Sequence, residues 1–235
     1  KDIINQNSLW FQSMEPIIYA KANANKLHEI DDFNIDEIDL NLFKKKLFDK
    51  LKKQIDIKKD LIKETFLNTS DGSLNVGLNV ILIDSLLITL FKKLFSRTFN
   101  SKDFIFSIIA VGGYGRGELA PHSDLDLLFL LPNNLKKNEI KKTEEVIQQI
   151  LYVLWDLGYK VGHSTRTIDD CIEKSKLDLT ISTSILERRF VFGNIEIYKL
   201  LNNKFNLYIE ESKILDFVEA KLEESKLRHK RFGGS

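Results

Sequence analysis

A single cysteine, Cys171, is present, so no internal disulfide can form and a reducing, cytoplasmic compartment is expected. Charge of either sign is not in excess: 35 Lys and Arg stand against 34 Asp and Glu, a net of +1. That balance gives no strong field to draw the protein to nucleic acid or an acidic membrane, and neither is expected as a partner. The most apolar run, Val80 to Phe91, is broken by Asp84, Ser85 and Thr89 and is too short to span a bilayer. A basic-then-apolar leader is missing after Lys1, so no secretory signal is expected. Repeats and low-complexity segments are also missing.

What is present falls into three parts: a helical region over residues 1–100, an α/β core over 101–192, and a helical segment over 193–235. The Gly-Gly-Ser ending of the last part suggests a truncated piece. Residues 1 to about 35, with Pro16 and little periodicity, predict a loose arm followed by a short helix. Phe43, Leu47, Leu51, Ile55 and Ile62 fall at helical spacing, with lysines between them that face solvent beside Asp49, Asp56, Asp60 and Glu64. Asn68 to Gly77 is rich in turn formers and predicts a loop. A buried helix is expected from Leu78 to Phe95, and a boundary at Ser96 to Lys102.

Phe104 to Val111 reads as a strand ending at Gly112-Gly113, and Leu125 to Leu131 as a central strand, apolar on both faces. A helix over Glu139 to Leu157 is stopped by Gly158 and followed by a strand over Tyr159 to Thr167. Helices are expected over Asp169–Ser175, Asp178–Phe192, Glu196–Glu210 and Ser212–Lys230.

The chemistry concentrates in Ala110 to Leu131. Residues i and i+2 of a strand share a face, so Asp124 and Asp126 project side by side where a buried strand begins. Adjacent carboxylates repel and resist desolvation unless a cation compensates, and Mg²⁺ is the hard, oxygen-seeking candidate. If the two strands are antiparallel neighbours, Gly112 and Gly113 face this pair. Their backbone can approach phosphate oxygens, and Arg116 adds a charged donor. A Walker loop fails because Glu118 and Leu119 follow Gly117, and a calcium loop fails because Leu128 stands at the third ligand position.

Gly112-Gly113-Tyr114-Gly115-Arg116-Gly117-Glu118-Leu119 and Ser123-Asp124-Leu125-Asp126-Leu127-Leu128 resemble the DNA polymerase β-like nucleotidyltransferase superfamily. More narrowly they resemble the N-terminal domain of bacterial PII uridylyltransferase/uridylyl-removing enzymes. The likeness continues through Leu154 to Gly158, Val161 to Thr167, Thr183 to Arg189, and Arg228 to Gly234. It implies an α+β fold, a small mixed sheet flanked by N- and C-terminal helices. It also implies Mg²⁺-dependent transfer of UMP from UTP to a tyrosine hydroxyl of the PII nitrogen-signalling protein. Asp124 and Asp126 would be the catalytic metal ligands; Gly112, Gly113, Arg116, Ser123 and Arg166 would bind nucleotide.

A third carboxylate is common in this superfamily. Asp169, Asp170, Asp178 and Glu187 are open candidates, His163 is an alternative base, and Arg188 and Arg189 are further cations for the triphosphate. Removal of UMP belongs in the family to a His-Asp domain, and His28, His122, His163 and His229 are all followed by other residues, so that activity is not expected. Two alternatives are a catalytically silent nucleotide-binding module and adenylyl transfer to a protein such as glutamine synthetase.

Overall fold

The computed structural model describes residues 30–36, 39–99 and 103–211. The expected N-terminal arm and short helix lie largely outside these residues, and the Ser212–Lys230 helix wholly so. Helix α1 (Leu40–Thr69) starts where the Asp39 carboxylate accepts the Leu42 amide at 2.8 Å, and it buries the predicted Phe43, Leu47, Leu51, Ile55 and Ile62 stripe.

The loop expected at Asn68–Gly77 shrinks to Ser70 and Asp71. Ser70 turns the chain in the left-handed region, φ 54°, and Asp71 caps the Leu74 amide at 2.9 Å. Helix α2 therefore starts early and runs Gly72–Phe99, taking in part of the expected boundary; residues 100–102 are not among those described. By length and composition α2 could cross a membrane, but 61% of its most apolar window is buried inside the fold. It packs against α1 and the sheet, with Leu78, Leu82, Leu86, Leu90 and Phe91 inaccessible or nearly so. The phenylalanines have a structural role here: Phe91 lies 4.7 Å from Phe106 and 5.2 Å from Phe104, ring centre to ring centre, locking α2 to the start of the sheet.

After α2 come β1 (Ser107–Ala110), a single helical turn α3 (Gly112–Gly115) and β2 (Leu125–Leu131). Helix α4 (Lys137–Asp156) crosses back to β3 (Val161–Thr167); α5 (Ile168–Leu177) and α6 (Leu179–Leu186) lead to β4 (Arg189–Gly193) and α7 (Ile195–Glu211). The helix expected over Asp178–Phe192 thus divides. Its second half is a strand, because Arg189-Phe-Val-Phe supplies the second antiparallel neighbour that β1 needs.

The sheet order is β3-β2-β1-β4. β1 pairs antiparallel with β2 and β4, as the opposed glycine and acid motifs require, while β2 and β3 run parallel through the α4 crossover. The protein is α+β, a mixed four-stranded sheet between two helical layers. Ile108, Ala110, Leu125, Leu127 and Phe129 face α1, α2 and α4. Ile109, Leu128 and Leu130 face α5, α6 and α7.

Candidate active site

Antiparallel pairing of β1 and β2 brings the glycine turn to the acid strand. The Val111 amide donates to the Asp126 carbonyl at 3.0 Å, fixing the two chain segments edge to edge. Asp126 then projects between two glycines. A Cβ at Gly112, whose φ is +60°, would lie 3.0 Å from Asp126 Oδ2, and one at Gly162 would lie 2.5 Å from Oδ1. Gly162 is the register partner of Asp126 across the parallel β2–β3 pair. Both positions therefore leave room for the carboxylate itself.

Asp126 borders an open cleft of about 600 Å³, together with Gly112, Ser164, Arg166, Thr183 and Glu187. Ser164 and Arg166 pair with Leu128 and Leu130, so they stand on the face Asp126 uses. Arg166 makes no hydrogen bond or ion pair among the described residues, so its guanidinium is available to an anion in the cleft. Asp124 lies just before β2 and is exposed. Burial first, and the nearby Asp124 charge second, raise the Asp126 carboxyl above the ordinary range for aspartate.

The other nucleotide-binding candidates are arranged differently. Arg116 is engaged already, 2.8 Å from Glu118 and 2.8 Å from Glu187. Gly113 lies behind Gly112, beside the Arg116 side chain. Ser123 borders a separate cavity on the opposite face of the sheet.

Among the open candidates for a third acid, three have structural partners. Asp169 pairs with Lys204 at 2.6 Å. Asp170 closes a capping box with Thr167, and Asp178 caps α6 through the Thr180 amide at 2.7 Å. Glu187 borders the cleft, held by Arg116. His163 pairs in register with Leu127 and borders the cleft, while its ring lies 6.2 Å from that of Trp155. Burial lowers its pKa.

Arg188 and Arg189 do not face the cleft. Arg188 is buried, bonded to Asn202 at 2.6 Å and to the Ile185 carbonyl at 2.9 Å, and burial lowers its pKa to about 10. Arg189 makes a two-pronged pair with Asp84 of α2, at 2.7 and 3.0 Å. Tyr114 of the glycine turn donates to the same carboxylate at 2.5 Å. Sequence reading missed this triad. Asp84 interrupting an apolar run was its one visible signal, since a buried acid requires a partner.

Among the described residues no group of three or more His, Cys, Asp or Glu side chains is placed to hold a metal. The acid pair nonetheless suits a hard divalent cation: two carboxylates lie close enough to repel, one is partly desolvated, and glycines leave space around it.

Residues 91–192 match the nucleotidyltransferase domain family. Over 131 residues it is 49% identical to the bifunctional uridylyltransferase/uridylyl-removing enzyme of Azospirillum brasilense, covering 56% of this chain and 14% of that protein. The corresponding enzyme of Rhodospirillum rubrum is 49% identical over 129 residues, covering 55% of this chain and 13% of the relative. The chain thus aligns with only a small part of these relatives' length. A solved toxin–antitoxin structure with AMP-PNP aligns at a TM-score of 0.33 and 17% identity, covering 59% of this chain and 99% of that one. That likeness is too weak to carry an argument.

Proposed function

From the nucleotidyltransferase domain and the cleft around Asp126, we propose that this chain transfers UMP from UTP to a tyrosine hydroxyl of the PII nitrogen-regulatory protein. The observation that carries the reading is the Asp126 carboxylate set between Gly112 and Gly162, with Asp124 beside it and Arg166 in the same cleft. Identity to uridylyltransferases supports the choice of a uridylyl donor over other nucleotides.

In this scheme the tyrosine oxygen bonds to the α-phosphorus, the bond from that phosphorus to the bridging oxygen breaks, and pyrophosphate leaves. The hydroxyl proton is released in the same exchange. Asp124 and Asp126 hold Mg²⁺, which when bound neutralises charge on the triphosphate and polarises the α-phosphate. The backbone of Gly112 and Gly113 and the Arg166 guanidinium orient the phosphates. Arg116 acts from behind the turn, bracing it against Glu187. Glu187 is the one of the four candidate acids that borders the cleft, and so the best placed to accept the tyrosine proton once Arg116 shifts. The division into N-terminal helices, nucleotidyltransferase core and C-terminal helical segment, and a cytoplasmic location, belong to this proposal.

A silent nucleotide-binding module is the second reading, favoured by the engagement of both Arg116 and Glu187 with each other. The deciding experiment supplies PII, Mg²⁺ and labelled UTP or ATP to the chain and to an Asp124→Asn/Asp126→Asn double variant. Label from UTP moving to PII, and lost in the double variant, is the expected result. Transfer surviving the double substitution overturns the acid-pair assignment, and nucleotide binding without transfer overturns the activity.

A further inference from the structure

A cavity of about 770 Å³ lies on the sheet face opposite Asp126, between the α1–α2 hairpin and the segments Leu119–Ser123 and Gly158–Lys160. Its walls combine two chemistries. Ile62, Leu82, Ile83 and Leu119 make an apolar floor. Around it stand Lys59, Lys63 and Lys160, opposed among the lining residues by the single carboxylate of Asp60. None of these three lysines forms an ion pair among the described residues, whereas Lys52, Lys58, Lys93, Lys199 and Lys204 all do. The Lys59 ammonium sits 4.5 Å from the centre of the Tyr159 ring. Tyr159 lines the same space with its ring, and its hydroxyl is buried without a hydrogen-bond partner among the described residues.

Three exposed ammonium groups without carboxylate partners around one space give it a positive potential that favours an anion. Several lysines around one space suit phosphate, which they bind as point charges. The apolar floor suits a body attached to that phosphate, and the volume falls in the range of small-molecule sites. We propose that this cavity binds a phosphomonoester carrying an apolar body, as a site separate from the cleft of Asp126.

Its position gives such a ligand a route to the acid pair. Pro121, His122 and Ser123 line the cavity and immediately precede Asp124. An occupant that fixes this segment alters the approach of Asp124 to the metal, and the two sites are coupled by whatever free energy that ordering carries. The coupling, unlike the binding, rests on the proposed transferase reading.

Calorimetry in EDTA separates the two sites, with AMP and inorganic phosphate as probes. Expected are a single AMP site, binding roughly tenfold tighter than phosphate because of the apolar floor, and roughly tenfold or greater weakening in Lys63→Glu/Lys160→Glu. Asp126→Asn and Arg166→Ala should leave AMP binding in place. Absence of AMP binding overturns the proposal, as does AMP binding that survives the lysine substitutions but is lost in Arg166→Ala.

In UMP-transfer assays AMP should shift the rate of the wild type and not that of the lysine variant, whose rate without AMP is unchanged. An AMP effect that persists in the lysine variant overturns the coupling. Binding retained in a chain that transfers nothing sinks the transferase reading alone; transfer retained without binding sinks this site alone.

Discussion

Asp84 and Arg189, 105 positions apart in sequence, form a two-pronged ion pair at 2.7 and 3.0 Å, and Tyr114 of the glycine turn donates to the same carboxylate. Three elements meet at one buried charge pair: helix α2, strand β4 and the turn that faces Asp126. Burial depresses the arginine most strongly of any one cause, but the Asp84 and Tyr114 charges and hydrogen bonds together outweigh it and raise the Arg189 pKa. Burial likewise pushes the Tyr114 hydroxyl well above its usual range, so it stays a donor.

Removing one member of this pair leaves the other buried and uncompensated. Asp84→Ala and Arg189→Ala should each destabilise the fold by about 3–5 kcal/mol. Tyr114→Phe keeps the pair and loses one hydrogen bond to a charged acceptor, about 1.5–3 kcal/mol. Urea denaturation of the three variants checks the order; a Tyr114→Phe loss as large as that of Asp84→Ala would contradict it.

Gly162→Ala should separate activity from stability. The added Cβ would stand 2.5 Å from Asp126 Oδ1, the mobile end of a side chain, so the carboxylate swings away and the backbone stays. UMP transfer should fall about 10²-fold, the loss expected when a positioned catalytic group is displaced, with an unchanged melting midpoint. Gly112→Ala should lose both activity and roughly 1 kcal/mol or more of stability, because its φ of +60° disfavours any side chain.

Asp126 sets a pH limit of definite sign. Its carboxyl is raised in the fold, so in the absence of metal the charged form is the disfavoured one there. Stability of the metal-free protein should rise as pH falls through the folded pKa toward the ordinary aspartate range, and level off below it. Transfer should move the opposite way, because the ligand form is the carboxylate. Asp126→Asn should abolish this part of the pH dependence, raise the neutral-pH melting point of the metal-free protein, and lower transfer by about 10²–10³-fold. Melting and rate profiles from pH 4 to 8 test both directions.

Arg166 and Arg116 should differ in kinetics. Arg166→Ala removes an unpaired guanidinium from the cleft, and KM for UTP should rise roughly tenfold or more. Arg116→Ala frees Glu187, whose partner it is at 2.8 Å, so its effect should fall mainly on kcat. Equal KM effects for the two arginines would place Arg116 on the triphosphate as well.

Much of this arrangement was legible because it depends on local pattern. Phe43 to Ile62 kept helical spacing and Leu125 to Leu131 kept its apolar run, whereas Asp124 falls just before β2 rather than within it. The errors came where a side chain had a distant partner. Asp71 acted as a cap and turned an expected ten-residue loop into a two-residue break. Arg189 could be read as polar helix surface until Asp84 was seen beside it, and β4 was missed for the same reason. The importance of Gly162 depended on the β2–β3 register, which sequence spacing does not define.

The buried pair of Asp84 and Arg189 bears on how this domain can be carried between proteins. The nucleotidyltransferase match begins at residue 91, inside α2 and downstream of Asp84. A piece excised at that point would keep every residue assigned to nucleotide and metal, yet strand Arg189 as a buried cation and bare the phenylalanine cluster. The smallest transplantable unit is therefore longer than the recognisable one, and a gene fusion or a designed chimera that inherits the site must inherit the helix before it.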